Sequence, residues 1–111
     1  MNKLKLWIER LAEHNAHSIV MPQQRGSGQV DLVTTLAGPD DLVITSKAMT
    51  HVFNAAGCRA TCITAARARR MSVHGFDRVV VYLEDVPGTI HSDTWDRFFK
   101  DLREKHVILL W

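Results

Sequence analysis

The chain has 111 residues, 46% hydrophobic and 23% charged, an ordinary globular balance that points to a single domain over 1–111 and argues against a disordered tail, a fibrous repeat or a separate catalytic module. Fourteen Lys and Arg against twelve Asp and Glu leave a formal charge of +2, too small a surplus to imply a nucleic-acid or anionic-membrane partner, so any basic surface must be local. No apolar run approaches the roughly 20 residues that span a bilayer, and Met1-Asn2-Lys3 leads into an amphipathic stretch rather than a signal peptide's apolar core; the expectation is a cytoplasmic protein with no membrane partner.

Leu4, Trp7, Ile8 and Leu11 recur at helical spacing with charged residues between them, so residues 3–14 read as an amphipathic helix. Ser18 to Met21 is a short strand ended by Pro22, and Gln23-Gln24-Arg25-Gly26-Ser27-Gly28 has the composition of a turn. Val30, Val33, Leu36 and Ala37 then suit a helix that stops at Gly38-Pro39, although the alternation of Val30, Leu32, Thr34 and Leu36 also suits a strand. Asp41 to Thr45 is a continuous apolar run of the kind found in parallel strands buried on both faces. Ser46 caps a helix with the apolar stripe Ala48, Met49, Val52, Phe53 and Ala56, and Gly57 supplies a left-handed residue past its end.

Ala60 to Thr64 is the next strand, with Thr64 as N-cap of a compact helix over 65–71. Arg78 to Leu83 is the strongest strand, β-branched and expected to be central, closed by Glu84-Asp85 and a Pro87-Gly88 turn. Ser92 or Asp93 caps a helix with Trp95, Phe98, Phe99 and Leu102 on one side, and His106 to Trp111 is a last buried strand. Apolar strands alternating with helices predict an α/β three-layer sandwich: a mostly parallel five-stranded sheet with helices on both faces. Trp111 leaves open whether that last strand is buried internally or pairs with a second copy, so an oligomer stays possible.

Cys58 and Cys62, read as residues of one extended strand, stand ~13 Å apart and do not bridge; they are expected to be small buried thiols in a reduced compartment. His14 and His17 lie at i, i+3 without a carboxylate or thiolate at ligand spacing, which favours polar residues at a helix end over a metal site. Residues 59–78 hold Arg59, Arg67, Arg69, Arg70 and Arg78 against Asp77 alone. Of these, Arg67, Arg69 and Arg70 on the compact helix are candidates to grip nucleic-acid phosphates, though no aromatic lies among them to stack on bases.

Ligands of open parallel sheets bind beyond the carboxyl ends of the strands, and a glycine-rich loop before a helix suits a phosphate. The loop Gln24-Arg25-Gly26-Ser27-Gly28-Gln29 is therefore the candidate nucleotide-binding segment; an ordinary turn without a ligand is the competing reading. With Val43-Ile44-Thr45-Ser46, Gly75-Phe76-Asp77, Val79 to Leu83 followed by Glu84-Asp85, and Val107 to Leu110, the chain resembles, from about residue 17 onward, the core of a P-loop ATPase of the helicase and phage large-terminase type. The resemblance implies ATP and Mg²⁺ as cofactors, with Glu84 and Asp85 as metal carboxylates.

The sequence departs from that family where catalysis is carried. Gln29 stands in place of the phosphate-binding lysine, Val30 in place of the magnesium-binding hydroxyl, and the acidic pair is Glu-Asp rather than Asp-Glu. The segments that couple hydrolysis to work and any nuclease domain are not expected. The reading is a non-catalytic or weakly catalytic P-loop-like binding protein, phage- or mobile-element-encoded, that engages nucleic acid or a protein partner. Two alternatives stand beside it: a magnesium-dependent NTPase that uses Arg25, and an interaction module with no ligand at the glycine loop.

Overall fold

The computed structural model describes residues 3–21, 28–82 and 95–110. In chain order these form α1 (Lys3–Glu13), β1 (His17–Met21), α2 (Gly28–Leu36), β2 (Leu42–Thr45), α3 (Lys47–Ala55), β3 (Thr61–Thr64), α4 (Ala65–Arg70), β4 (Arg78–Tyr82), α5 (Asp96–Asp101) and β5 (His106–Leu110). The five strands make one sheet in the order β1-β5-β4-β2-β3, and every pairing is parallel. The helical alternative for residues 30–37 is the one adopted, because β1 and β2 run in the same direction in one sheet and the chain must cross back over a face between them.

The chain runs outward from β1 to β2 and β3 through α2 and α3, then returns to β4 and β5 through α4 and α5. The two sets of helices cover opposite faces. Trp7, Leu11, Ala65, Ala68, Trp95, Phe98 and Phe99 pack with Ile44, Val79, Val81, Val107 and Leu109 on one side. On the other, Val33, Ala37 and Phe53 pack with Val43, Val80, Tyr82, Ile108 and Leu110. Successive residues of β2, β4 and β5 thus alternate between two cores, which is why these strands read as unbroken apolar runs.

The first core contains a cluster of four aromatic rings. Trp7 meets Trp95, Phe98 and Phe99 at centroid separations of 6.3, 6.0 and 5.3 Å. Arg10 lies over the Phe99 ring at 4.8 Å and pairs with Asp96 at 2.8 Å, joining α1 to α5. The α3 stripe is narrower than its spacing predicts. Phe53 is buried and Met49 half-buried, whereas Ala48, Val52 and Ala56 are exposed, because α3 covers the sheet near its β3 edge and meets it along one line. β1, at the opposite edge, also differs from a strand covered on both faces: residues 17–20 are exposed, Ile19 by 55%.

Predicted punctuation is observed where it can be checked. Ser46 and Thr64 accept the backbone N–H groups of Met49 and Arg67 as N-caps, and Gly57 has φ 85° just beyond α3. Ser92 and Asp93 lie outside the described residues; the residue before α5 is Trp95, whose side chain makes no capping bond. No helix among the described residues is long and apolar enough to cross a membrane.

Candidate functional site at the carboxyl edge of the sheet

The two ends of the sheet differ in chemistry. At the amino end, Asp41 is 3% exposed and accepts hydrogen bonds from Arg78 Nε at 3.3 Å, Arg78 Nη2 at 2.7 Å and the Gly38 N–H at 2.9 Å. The same Arg78 nitrogen also donates to the Leu36 carbonyl at 2.8 Å. Burial raises the Asp41 pKa, but the Arg78 and Gly38 hydrogen bonds and the Arg78 charge outweigh it and hold the carboxyl below its ordinary value. Lys105 Nζ donates to the His74 and Phe76 carbonyls at 2.9 and 2.6 Å. These groups find partners within the chain, and Arg78, counted in the basic segment from sequence, is a structural ion-pair residue instead.

The described part of the carboxyl end is built from strand ends and helix starts. The Arg78–Leu36 bond fixes the last turn of α2 at the start of β4, and Val33 and Ala37 pack along Val80, Tyr82, Ile108 and Leu110. The helix therefore runs antiparallel to β4 and β5, with Gly28 and Gln29 directed to the carboxyl edge. α3 packs beside α2 and begins immediately after β2, so its first turn opens at that same edge on the same face. Two helix N-termini therefore lie there, each with partial positive charge, and in α3 Ser46 Oγ already accepts the Met49 N–H.

Between these features lies Thr45, the last residue of β2. It is 1% exposed, alternation puts its side chain on the face of Val43 and Tyr82, and its Oγ1 is buried without a hydrogen-bond partner among the described residues. A hydroxyl in that state costs about 1–3 kcal/mol. Thr45 was legible in the sequence as a strand-ending Thr, but that its hydroxyl is enclosed and unpaired depends on the packing of α2 and α3.

Of the predicted nucleotide-binding segment, Gln24, Arg25, Gly26 and Ser27 lie outside the described residues, as do Glu84 and Asp85; Gly28 and Gln29 start α2. Val30 is half-buried and packs against the second core, so the position that would carry a magnesium-binding hydroxyl is an apolar core contact. The described residues do not fit a magnesium ion at that point, whereas the helix N-termini and Thr45 fit an anion.

Arg67, Arg69 and Arg70 are all on α4, on the opposite face of the sheet from α2 and α3. Arg67 and Arg70 are exposed and Arg69 is half-buried; among the described residues none of the three is paired with a carboxylate. His14 and His17 are not on one helix face: α1 ends at Glu13, His14 stacks on Phe99 at 6.1 Å and His17 on His106 at 5.4 Å. No cluster of three His, Cys, Asp or Glu suited to a metal ion occurs among the described residues.

The cysteine expectation is corrected. Cys58 precedes β3 in the turn after α3, its N–H bonded back to the Phe53 carbonyl at 3.0 Å, and Cys62 is the second residue of β3. The chain bends between them, and their Sγ atoms are 3.9 Å apart rather than the ~13 Å of an extended segment.

In comparisons with known proteins, no family model matches this chain, no curated protein matches it in sequence, and no solved structure matches it in fold.

Proposed function

We propose that this protein binds a phosphate-bearing ligand, a nucleotide being the first candidate, at the carboxyl edge of its sheet, and that it hydrolyses the ligand weakly or not at all. The observation that carries the reading is the buried, unpartnered Thr45 hydroxyl at the edge where α2 and α3 begin. A phosphate bound there is stabilised by both helix termini, each contributing about half a positive charge, and it pairs with the enclosed hydroxyl once the groups covering Thr45 move aside. Catalysis is attenuated because Gln29 supplies no ammonium and Val30 is committed to the core, which removes charge-assisted contacts of about 1.5–3 kcal/mol each.

Exposed Arg67 and Arg70 on α4 extend this reading to a nucleic-acid partner on the other face. Their attraction for phosphates weakens with salt. A protein partner is the alternative outcome, and fluorescence anisotropy with labelled oligonucleotides across a salt series separates the two.

The test of the ligand site is thermal unfolding with inorganic phosphate, ADP or ATP, each with and without magnesium. A ligand at about ten times its Kd adds about 1.4 kcal/mol to the native state, a rise of roughly 5–10 °C in Tm for a domain of this size. Amide shifts in the first turns of α2 and α3 accompany it. A flat Tm with all three ligands refutes the site, and magnesium-dependent phosphate release abolished by Arg25→Ala replaces the binding reading with an enzymatic one.

A further inference from the structure

Cys58 and Cys62 are the chain's only cysteines, and both are half-buried. Gly57 in its left-handed conformation turns the chain out of α3, and the Cys58 N–H bond to Phe53 O holds that turn against the helix. Cys62 is fixed from the other side by the parallel register that sets it opposite Val43. Both side chains border the core of Val33, Phe53 and Val80. Two independently anchored elements therefore hold the sulfurs 3.9 Å apart. A disulfide needs about 2.05 Å, a closure of roughly 1.9 Å that side-chain rotation can supply.

We propose that Cys58 and Cys62 form a redox-modification site, a dithiol that hydrogen peroxide converts to a reversible intramolecular disulfide joining the exit of α3 to the edge strand β3. The Cys58 thiolate attacks one peroxide oxygen. An S–O bond forms as the O–O bond breaks, the departing hydroxide takes up a proton as water, and Cys58 becomes a sulfenic acid. The Cys62 sulfur then attacks the Cys58 sulfur. The S–S bond forms as the S–O bond breaks, and the hydroxyl leaves as water with the proton of the Cys62 thiol. Two thiols and one peroxide thus give one disulfide and two waters, and a small-molecule thiol reverses the change by exchange.

The order of attack follows from the environment. Cys62 Sγ donates to the Ala60 carbonyl at 3.7 Å as well as facing Cys58, and burial, the neighbouring Cys58 and their mutual hydrogen bond raise its pKa, so Cys62 holds its proton and the first attack is assigned to Cys58. The pair lies at the amino half of β3, whereas Thr45 lies at the carboxyl end of β2. The peroxide reaction needs no phosphate, so its outcome does not decide whether a phosphate binds.

The experiment uses the reduced wild-type chain under native conditions with limiting hydrogen peroxide, followed by intact mass, thiol titration and non-reducing electrophoresis. The expected product is a monomer that has lost two hydrogens and both free thiols and recovers them with dithiothreitol. In Cys62→Ser the reaction stops at a Cys58 sulfenic acid, trapped by a dimedone probe at least ~10-fold more than Cys62 is in Cys58→Ser. Disulfide-linked dimers, oxygen added at separate cysteines, or thiols that stay intact in the native chain while the urea-unfolded chain oxidises would each overturn the site. Equal trapping in the two variants overturns the assigned order. The wild-type measurement depends on no substitution.

Discussion

Replacing Thr45 by Val tests the candidate site through stability and ligand response together. The two side chains have nearly the same shape, so the substitution exchanges a buried hydroxyl for a methyl without opening a cavity. Thr45 Oγ1 is enclosed, with the residue 1% exposed and no partner for the oxygen. Removing an unsatisfied buried hydroxyl recovers about 1–2 kcal/mol of its desolvation cost, and the strand preference of Val acts in the same direction. The ligand-free variant is therefore expected to be more stable than wild type, with Tm higher by about 4–10 °C. The order changes with ligand: wild type gains Tm with phosphate compounds while the variant gains little, and Thr45→Ser keeps the response. Urea and thermal unfolding with and without ligand measure both halves. A Val variant destabilised by about 1 kcal/mol or more shows that the hydroxyl is hydrogen-bonded in the free protein, and one that retains the full ligand-induced shift removes Thr45 from the site; either result refutes the argument.

The amino end of the sheet responds in the opposite sense. Arg78→Met leaves the Asp41 carboxylate buried beside an apolar side chain and is expected to cost about 2–4 kcal/mol in urea unfolding. Because the folded-state pKa of Asp41 lies below its ordinary value of 3.8, its contribution is complete above about pH 4 and is lost as pH falls below 3.8 through the folded value. In Arg78→Met burial acts with less opposition, so the onset of acid unfolding moves to higher pH, which a pH series of urea midpoints reads directly. Glu104, at φ 63° in the turn between α5 and β5, pays for a left-handed backbone with a Cβ, and Glu104→Gly is expected to raise stability by about 0.5–1 kcal/mol in the same assay. Trp7→Ala removes the ring that Trp95, Phe98 and Phe99 surround and is expected to cost about 3–5 kcal/mol, with loss of the near-UV circular dichroism of that cluster.

The two ends of the sheet differ in how their described polar groups are partnered. At the amino end, Asp41, Arg78, Leu36 and Gly38 satisfy one another and tie α2 to β4. Lys105 ties the approach to β5 to the 74–76 segment. At the carboxyl end, the described part consists of strand ends, the first turns of α2 and α3, and a hydroxyl without a partner.

Local pattern was enough to specify the α/β class, the five strands, the caps at Ser46 and Thr64, and the left-handed turn at Gly57. Each depends on side-chain periodicity or on conformational preferences that act within a few residues. Tertiary structure decided the order β1-β5-β4-β2-β3 and the exposure of β1, because the position of a strand in a sheet depends on crossovers that no local pattern encodes. It likewise turned Arg78 from a member of a basic segment into the partner of Asp41, thirty-seven residues away. Cys58 and Cys62 show the same limit at short range. Four residues apart, they read as far separated on an extended strand, yet one bend ahead of β3 brings their sulfurs together. The Thr45 hydroxyl is visible as a residue type, but its isolation exists only once α2, α3 and the neighbouring strands close around it.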